Sequence, residues 1–194
     1  IRPQELLAIL EDGSLDLRVK RLAVVNQDDI EVFQASADSG GDGYIKLNSE
    51  SGEVRYQTRL SSDNPVSEYW NSSSTQVLIQ GAYRNTSTAF VRLLDAGTGE
   101  KVAEIDAQGS GGEIEMFNAN GQRRYSHSLK NDRPIVNFRD SKGVLTVAYG
   151  VFSDSDNGFL RIFDSTGKKH MVQIDSRSDG GAARFYSPTG ENIV

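Results

Sequence analysis

The 194-residue chain has no cysteine, so disulfide bonds and thiolate metal sites are excluded. Only four prolines stand against nineteen glycines, a balance typical of many tight turns rather than of a disordered proline-rich linker. No apolar run approaches the length of about eighteen residues that a membrane-spanning helix needs. These absences predict short elements joined by turns, without covalent cross-links and without a membrane span.

Positive charge is also scarce in the sequence. Lysine and arginine total 21 against 27 aspartates and glutamates, which gives a formal net charge of −6. A protein that binds nucleic acid generally needs a basic surface that displaces counterions from the phosphates. The composition therefore predicts no nucleic-acid partner.

The chain does contain an internal repeat. The stretch GEIEMFNANG at Gly112–Gly121 recurs as GFLRIFDSTG at Gly158–Gly167, as GAARFYSPTG at Gly181–Gly190 and as GYIKLNSESG at Gly43–Gly52. Alignment by position rather than by letter adds four further copies. The eight copies open at Lys20, Gly43, Pro65, Ala89, Gly112, Pro134, Gly158 and Gly181. Self-similarity at a spacing of roughly 20–50 residues is typical of solenoids, propellers and other repeat arrays.

Each copy begins with alternating apolar and polar residues. In the copy at Gly112, for example, Ile114 and Met116 are apolar and Glu115 lies between them. Alternation with a period of two predicts a β-strand with one face buried and one face wet. The charged residues in the middle position, such as Arg92 and Arg161, are then expected on the wet face, where opposite charges on neighbouring strands attract each other.

A turn follows the alternating segment. An Asn or Asp usually opens it and a glycine closes it, as Asn118 and Gly121 do in NANG. This pattern fits a type I turn followed by a bulge whose glycine is left-handed, a common connection in β-hairpins. Asp29 and Ser74 take the glycine position in two copies, so we expect those two turns to be looser or more strained.

The sequence thus predicts an all-β fold. It consists of a tandem array of about eight antiparallel β-hairpins of about 22–24 residues each, arranged as a β-solenoid or as stacked hairpins. A β-propeller is the alternative, because two hairpins make a four-stranded blade. Residues 1–16 are predicted to form an N-terminal extension and residues 17–194 the hairpin domain.

Two loops between hairpins suggest calcium, because they place oxygen ligands two or four residues apart. These ligands are Asp38 and Asp42 in DSGGDG, and Asp154, Asp156 and Asn157 in SDSDNG. Calcium takes about six to eight such oxygens. Solvated turn residues are the alternative interpretation, and no other cofactor is indicated.

Two further sets of residues are candidates for binding. Tyr69 and Trp70 lie in the irregular third hairpin, where an insertion with aromatic residues is typical of a binding surface.

The N-terminal segment IRPQELLAIL carries Leu6, Leu7, Ile9 and Leu10, and it fits either a short helix or a strand lent to another element. Val194 ends the sequence four residues past the last turn, with no capping segment after it. An uncapped strand edge favours pairing with another chain, so these leucines and isoleucine together with Val194 are predicted assembly residues.

No pattern of catalytic residues is present. The sequence lacks a nucleophile elbow, a P-loop, a dinucleotide-binding glycine run and a zinc-binding histidine pattern. Its two histidines, His127 and His170, stand at different distances from their turns. We therefore expect that the protein is not an enzyme.

From Leu17 to Val194 the chain resembles secreted bacterial repeat proteins that are built of β-hairpins. The likeness rests on segments such as GGEIEMFNANGQRRYSHSL and NGFLRIFDSTGKKHMVQI, which read as strand, Asx-x-x-Gly turn and strand. The resemblance implies an extracellular or cell-surface location and no catalytic residues. The expected function is that of a structural subunit of a fibre, filament or surface assembly, which associates with copies of itself into an oligomer or polymer. The alternative is an adhesin-like module that binds a glycan or a protein receptor.

Overall fold

A computed structural model describes residues 7–9, 15–17, 20–61, 63–83, 88–108, 111–152, 155 and 157–193. Every regular element in this part of the chain is a β-strand. The strands are β1 (Leu7–Ile9), β2 (Leu15–Leu17), β3 (Arg21–Val25), β4 (Glu31–Ala37), β5 (Gly43–Asn48), β6 (Val54–Ser61), β7 (Asn64–Trp70), β8 (Gln76–Ala82), β9 (Ala89–Leu94), β10 (Lys101–Gln108), β11 (Gly111–Phe117), β12 (Arg123–Lys130), β13 (Arg133–Arg139), β14 (Leu145–Val151), β15 (Gly158–Phe163), β16 (His170–Arg177) and β17 (Gly180–Phe185). The all-β prediction is confirmed.

The chain divides into two compact units, Ile1–Ser74 and Thr75–Val194, which we call unit 1 and unit 2. In unit 1 the strands β3 to β7 lie side by side in chain order, and in unit 2 the strands β8 to β17 do the same. All neighbouring strands within each unit are antiparallel. Each unit is therefore an open meander of sequential hairpins. The predicted division between residues 16 and 17 remains a prediction.

The turns lie where the repeat predicts them. All eight closing residues have a positive φ, among them Gly121 at 70° and Gly143 at 82°. In the Asn118 turn the Gly121 amide donates to the Asn118 carbonyl at 2.9 Å, and the strand register shifts by one residue between Met116 and Phe117. A left-handed closing residue with a register shift beside it is the predicted turn and bulge.

Asp29 and Ser74, which occupy the glycine position in unit 1, are also left-handed, with φ of 59° and 58°. Their turns still close, because the Asp29 amide donates to the Asn26 carbonyl at 3.1 Å and the Ser74 amide donates to the Asn71 carbonyl at 3.0 Å. Side chains with a Cβ adopt this backbone conformation at a cost of about 1–2 kcal/mol. The two turns are therefore strained rather than open.

This strain leads to a prediction for stability. Ser74→Gly is expected to raise the free energy of unfolding by about 0.5 kcal/mol, because relief of the left-handed strain exceeds the added entropy of the unfolded chain. Gly143→Ala is the opposite change at a matched position, where an added Cβ meets no atom within 4 Å, and it should lower the free energy of unfolding by about 1 kcal/mol. Urea denaturation of both variants checks the signs, and a loss of stability in Ser74→Gly contradicts the assignment of strain.

The N-terminal segment forms a local hairpin. Leu7 pairs with Leu17 and Ile9 pairs with Leu15, in antiparallel register. The predicted short helix is therefore wrong at Leu7 and Ile9, which lie in a strand that pairs with the segment that follows it. The predicted assembly residues Leu6, Leu10 and Val194 lie outside the described residues.

The two faces of unit 2 differ in chemistry. Residues directly opposite each other on antiparallel strands share a face. By that rule Ile105, Ile114, His127, Val136 and Tyr149 lie on one face, which we call the apolar face of unit 2. No Asp, Glu, Lys or Arg takes a paired position on this face in the described residues. The opposite side, with Arg92 and Glu104, is the polar face.

The expectation that the apolar face would be buried is wrong. Eleven of its large side chains are more than a third exposed, from 37% for Val91 to 54% for Ile105. Unit 1 shows the same arrangement, since Leu22, Val24 and Ile45 are 40–51% exposed. The reason is physical: alternation places side chains on a common face, but only a second layer buries that face.

Candidate functional site

The apolar face of unit 2 is the largest candidate surface. Eleven large apolar side chains on it are exposed: Val91, Leu93, Ile105, Ile114, Met116, Leu129, Phe138, Tyr149, Ile162, Ile174 and Phe185. With roughly 150–200 Å² for each whole side chain, their exposed fractions add up to an area on the order of 800 Å². The largest apolar patch on an ordinary monomer is about 300–600 Å². The face is therefore larger than a solvated monomer normally exposes.

Aromatic rings give the middle of this face a fixed surface. The rings of Tyr125 and Phe138 meet edge to face with centroids 5.3 Å apart, and the rings of Phe138 and Tyr149 stack at 6.4 Å. Val136, which stands opposite Tyr149 on the same face, is only 4% exposed. Rings that are held by their neighbours lose little side-chain freedom when a partner covers them, which favours association.

The polar face carries a network of buried charges. Glu104 is only 4% exposed, yet it lies among hydrogen-bond donors from three other side chains. Arg92 Nε donates to Glu104 Oε1 at 2.7 Å, the Tyr83 hydroxyl donates to the same oxygen at 3.0 Å, and Lys101 pairs with Glu104 Oε2. Asp106, which is 9% exposed, lies 3.2 Å from the same Tyr83 hydroxyl. Long cationic side chains thus cover short acidic ones.

Burial and pairing together set the ionisation of this network. Burial alone raises the pKa of Glu104, but hydrogen bonds from Lys101, Arg92 and Tyr83 outweigh it and hold that pKa below its ordinary value. Burial, followed by the hydrogen bond to Glu104, raises the pKa of Tyr83 to about 12. At neutral pH the carboxylate is therefore charged and the phenol is protonated, the pairing that lets the phenol donate.

A second acidic pair lies next to this network on β11. Arg123 Nη1 is 2.5 Å from Glu115 Oε1 and 3.5 Å from Glu113 Oε1. Burial, and then the charge of Glu115, raise the pKa of Glu113. Lys101 connects the two groups, since its Nζ is 3.7 Å from Glu115 Oε2. The arrangement is a ladder of ion pairs across neighbouring strands, a means of stabilising a wet sheet face.

An arginine between two aromatic rings occurs twice on the polar face. In the first cluster Tyr83 and Phe90 have centroids 4.7 Å apart, and Arg92 lies 4.7 Å from the Phe90 ring. In the second cluster the Phe152 and Phe159 centroids are 4.8 Å apart. Arg161 lies 5.0 and 5.1 Å from those two rings. The spacing of the residues is the same in both clusters, so they are two copies of one structural element.

The turn-opening aspartates serve structural roles. Asp140 Oδ1 accepts the Lys142 amide at 2.8 Å and the Val144 amide at 2.9 Å, and these bonds lower the pKa of Asp140. The Thr166 hydroxyl has the largest effect on the pKa of Asp164 and lowers it; burial opposes this, and backbone amides lower the pKa further. Charged oxygens at these positions hold the turn together.

A loss of stability in acid follows from these shifts. Because the folded pKa of Asp140 lies below its ordinary value of 3.8, its contribution is complete above that value and is lost as the pH falls through the lowered pKa. A double variant, Asp140→Asn with Asp164→Asn, keeps a side-chain oxygen that accepts the turn amides, as Asn118 does in its own turn. The amide side chains have no carboxylate that takes up a proton in acid. We expect a smaller drop in stability between pH 7 and roughly pH 3 than in the native chain. Urea denaturation at both pH values measures the free energy of unfolding of each chain.

The matched control for this prediction is Asp28→Asn. Asp28 lies in an exposed turn, and its carboxylate accepts no hydrogen bond among the described residues. This variant should lose stability in acid as the native chain does. An unchanged acid response of the Asp140 and Asp164 double variant contradicts the role of the two charges.

Of the predicted calcium ligands, Asp38, Asp42 and Asn157 lie in the described part of the chain. Asp38 accepts the Gly40 amide at 2.8 Å and the Asp42 amide at 3.1 Å, which is a turn-closing role. Asn157 accepts the Phe152 amide through its backbone carbonyl at 3.0 Å. Asp154 and Asp156 lie outside the described residues. Within the described ranges no group of three or more His, Asp or Glu side chains is placed to hold a metal ion.

Tyr69 and Trp70 are placed on different faces. Tyr69 stands opposite Tyr56, with ring centroids 4.9 Å apart, on the face of unit 1 that carries Leu22 and Ile45. Trp70 follows Tyr69 directly in β7, and successive side chains of a strand point to opposite faces. Both residues are half-buried. The predicted pair therefore does not form one binding surface.

The sequence pattern does not identify the buried acids Glu104, Asp106 and Asp175. All three lie on the second strand of a hairpin. The residues that face them are determined by how this strand pairs with its neighbours, and not by a fixed spacing in the sequence. A signal was present in the alternation of β10, in which Glu104 and Asp106 share one face, and in the Phe-x-Arg spacing of Phe90 and Arg92. Pairing the predicted strands would have placed these residues together.

The sequence matches no protein-family model and no curated protein. In the described part of the chain no helix is long and apolar enough to cross a membrane. The surfaces must therefore be interpreted from their own chemistry.

Proposed function

We propose that the protein is a non-enzymatic structural subunit whose copies associate through the apolar face of unit 2. The observation that carries this proposal is the exposure of eleven large apolar side chains on a face without charged residues in paired positions. Covering such side chains contributes roughly 25 cal/mol per Å² of apolar area, so the hydrophobic effect supplies the driving force.

The partner we propose for this face is the same face of a second copy. Strands about 4.8 Å apart give both surfaces the same spacing, and two sheets pack face to face at about 10 Å. An area on the order of 800 Å² per partner is that of a standard protein interface. A lipid headgroup or another charged ligand finds no opposite charge in the paired positions. The surface is therefore complementary to an uncharged apolar sheet.

The assembly that we propose is a fibre, filament or surface layer outside the cell, as the resemblance to secreted hairpin-repeat proteins suggests. The arrangement of the hairpins as a β-solenoid or stack, with a propeller as the alternative, is part of the same proposal. Support comes from the repeat itself, because every hairpin of unit 2 presents the same chemistry and a partner can bind along the whole row.

Sedimentation velocity of the purified chain over a range of concentrations tests this function. We expect the sedimentation coefficient to rise with concentration, as species of two or more copies form. The association should persist in salt at about 1 M, since apolar contacts are not screened. A chain that remains a single copy at the highest concentration contradicts the proposal.

A further inference from the structure

Two polar side chains on the apolar face of unit 2 have no hydrogen-bond partner among the described residues. They are Tyr149, the only one of the eleven exposed side chains that carries a hydroxyl group, and the half-buried His127. Tyr125, the other phenol on this face, is less exposed, and its ring packs edge to face on Phe138. A cover over the face buries Tyr149 and His127, and a buried polar group without a partner opposes binding.

Within one copy Tyr149 and His127 are not neighbours. His127 lies on β12 and Tyr149 lies on β14, and each stands opposite Val136 on the strand between them. Neighbouring strands are about 4.8 Å apart, so the two side chains leave the sheet roughly 10 Å from each other. When the face is covered, a hydrogen-bond partner for each must come from the covering molecule.

A notch beside His127 makes this part of the face concave. It has a volume of about 270 Å³ and is lined by Ile105, Gly112, Ile114, His127 and Leu129, and it is also bordered by Asp106 and Glu113. Gly112 contributes to the notch because it has no side chain between its large neighbours. An apolar cavity of about 150 Å³ accommodates a benzene ring, so this notch has room for the ring of a tyrosine.

We propose that Tyr149 of one copy inserts its ring into this notch of a second copy and donates a hydrogen bond from its hydroxyl to the His127 imidazole. The inference rests on the proposed function and specifies how the two apolar faces are aligned. Two copies that use the same face are related by a two-fold axis, so the contact occurs twice in each dimer. The axis then runs along β13 over the buried Val136, and it places Ile114 opposite Leu160 of the second copy, an apolar pair.

The other simple alignment places each residue of this row opposite its own copy. Tyr149 then meets Tyr149, so that two projecting rings compete for the same space, and two notches meet beside His127 and leave a void. Both features weaken an interface, because the core of an interface packs as densely as a protein interior. The alignment of ring with notch avoids both, and it gives the phenol an acceptor, since a neutral imidazole has one nitrogen that accepts.

Removal of one hydroxyl group tests the hydrogen bond. Tyr149→Phe keeps the ring on an exposed position, so the variant folds. Its dissociation constant, measured by sedimentation velocity, should rise by at least about tenfold, because each dimer loses two hydrogen bonds. Tyr56→Phe is the matched control on the face of unit 1 and should leave association unchanged. Equal dissociation constants for the native chain and Tyr149→Phe overturn the inference.

A mixing experiment tests the alignment itself. His127→Glu and Tyr149→Lys each bury an unpaired charge in the interface, so each variant alone should sediment as a single copy where the native chain associates. In an equimolar mixture the new ammonium group faces the new carboxylate, the second contact of the dimer remains the native one, and association should return. Circular dichroism shows that both variants fold. A native chain that stays a single copy contradicts the proposed function, whereas a native chain that associates and a mixture that does not overturn the alignment.

Discussion

A chain that carries Ile105→Lys and Met116→Lys is expected to sediment as a single copy at concentrations where the native chain associates. The two residues lie on neighbouring strands of the apolar face, and they are 54% and 51% exposed. A lysine at either place is solvated in the single copy, so folding is retained. In the assembly the same ammonium groups are buried without a partner, at a cost of several kcal/mol. The dissociation constant should therefore rise at least 100-fold.

Val25→Lys is the control for this double variant. Val25 is a large apolar residue that is 50% exposed, but it lies in unit 1, opposite Glu31 and next to Val24 in β3, so it is not part of the apolar face of unit 2. A charge there should leave association unchanged. If the control dissociates as the double variant does, added charge rather than the apolar face governs association. If the double variant still assembles, the face is not the interface.

Glu104→Ala is expected to lower the free energy of unfolding by about 3 kcal/mol. The substitution removes the carboxylate that Arg92, Lys101 and Tyr83 share, and it leaves two cationic groups without their closest partner on a covered face. Breaking a buried ion pair by removing one member costs about 3–5 kcal/mol. Partial exposure of Arg92 and Lys101, each at 29%, places the expected loss at the lower end of that range.

Two further variants separate charge from shape at this position. Glu104→Gln keeps the hydrogen-bonding oxygen and copies Gln173, which stands opposite Arg161 of the second cluster, so its loss should be smaller than that of Glu104→Ala. Glu100→Ala removes a carboxylate from an exposed turn in the same hairpin and should change the free energy of unfolding by no more than about 0.5 kcal/mol. Urea denaturation orders the three variants. Equal losses for Glu104→Ala and Glu100→Ala contradict the structural role of the network.

The hairpin plan could be predicted from the sequence because its signals are local. An Asn or Asp followed three residues later by glycine determines a turn through its own hydrogen bonds, and alternation determines which side chains share a face. Gly121 and Gly143 have the predicted left-handed backbone, and even Asp29 and Ser74 adopt it without being glycine. Turns and strand faces of this kind can be predicted from neighbouring residues alone, without the contacts between distant parts of the chain.

The exposure of the apolar face could not be predicted in this way. Ile114 and Met116 read as core residues because their alternation is the same whether another layer covers them or not. The arginine clusters were missed for a related reason. Phe159 and Asp175 come together only through the pairing of β15 with β16, and that register is a property of the folded sheet. The hairpin of Leu7–Ile9 with Leu15–Leu17 likewise depends on a pairing rather than on a repeat.

The most direct test of the apolar face as an interface is the reaction rate of a single cysteine placed on it. Because the native chain has no cysteine, Met116→Cys introduces one thiol at one known place. Its rate of modification by a maleimide should fall as the protein concentration rises, since the face becomes covered in the assembly, while the rate at Val25→Cys should stay constant. A rate at Met116→Cys that is independent of concentration, in a sample shown by sedimentation to be assembled, contradicts the account.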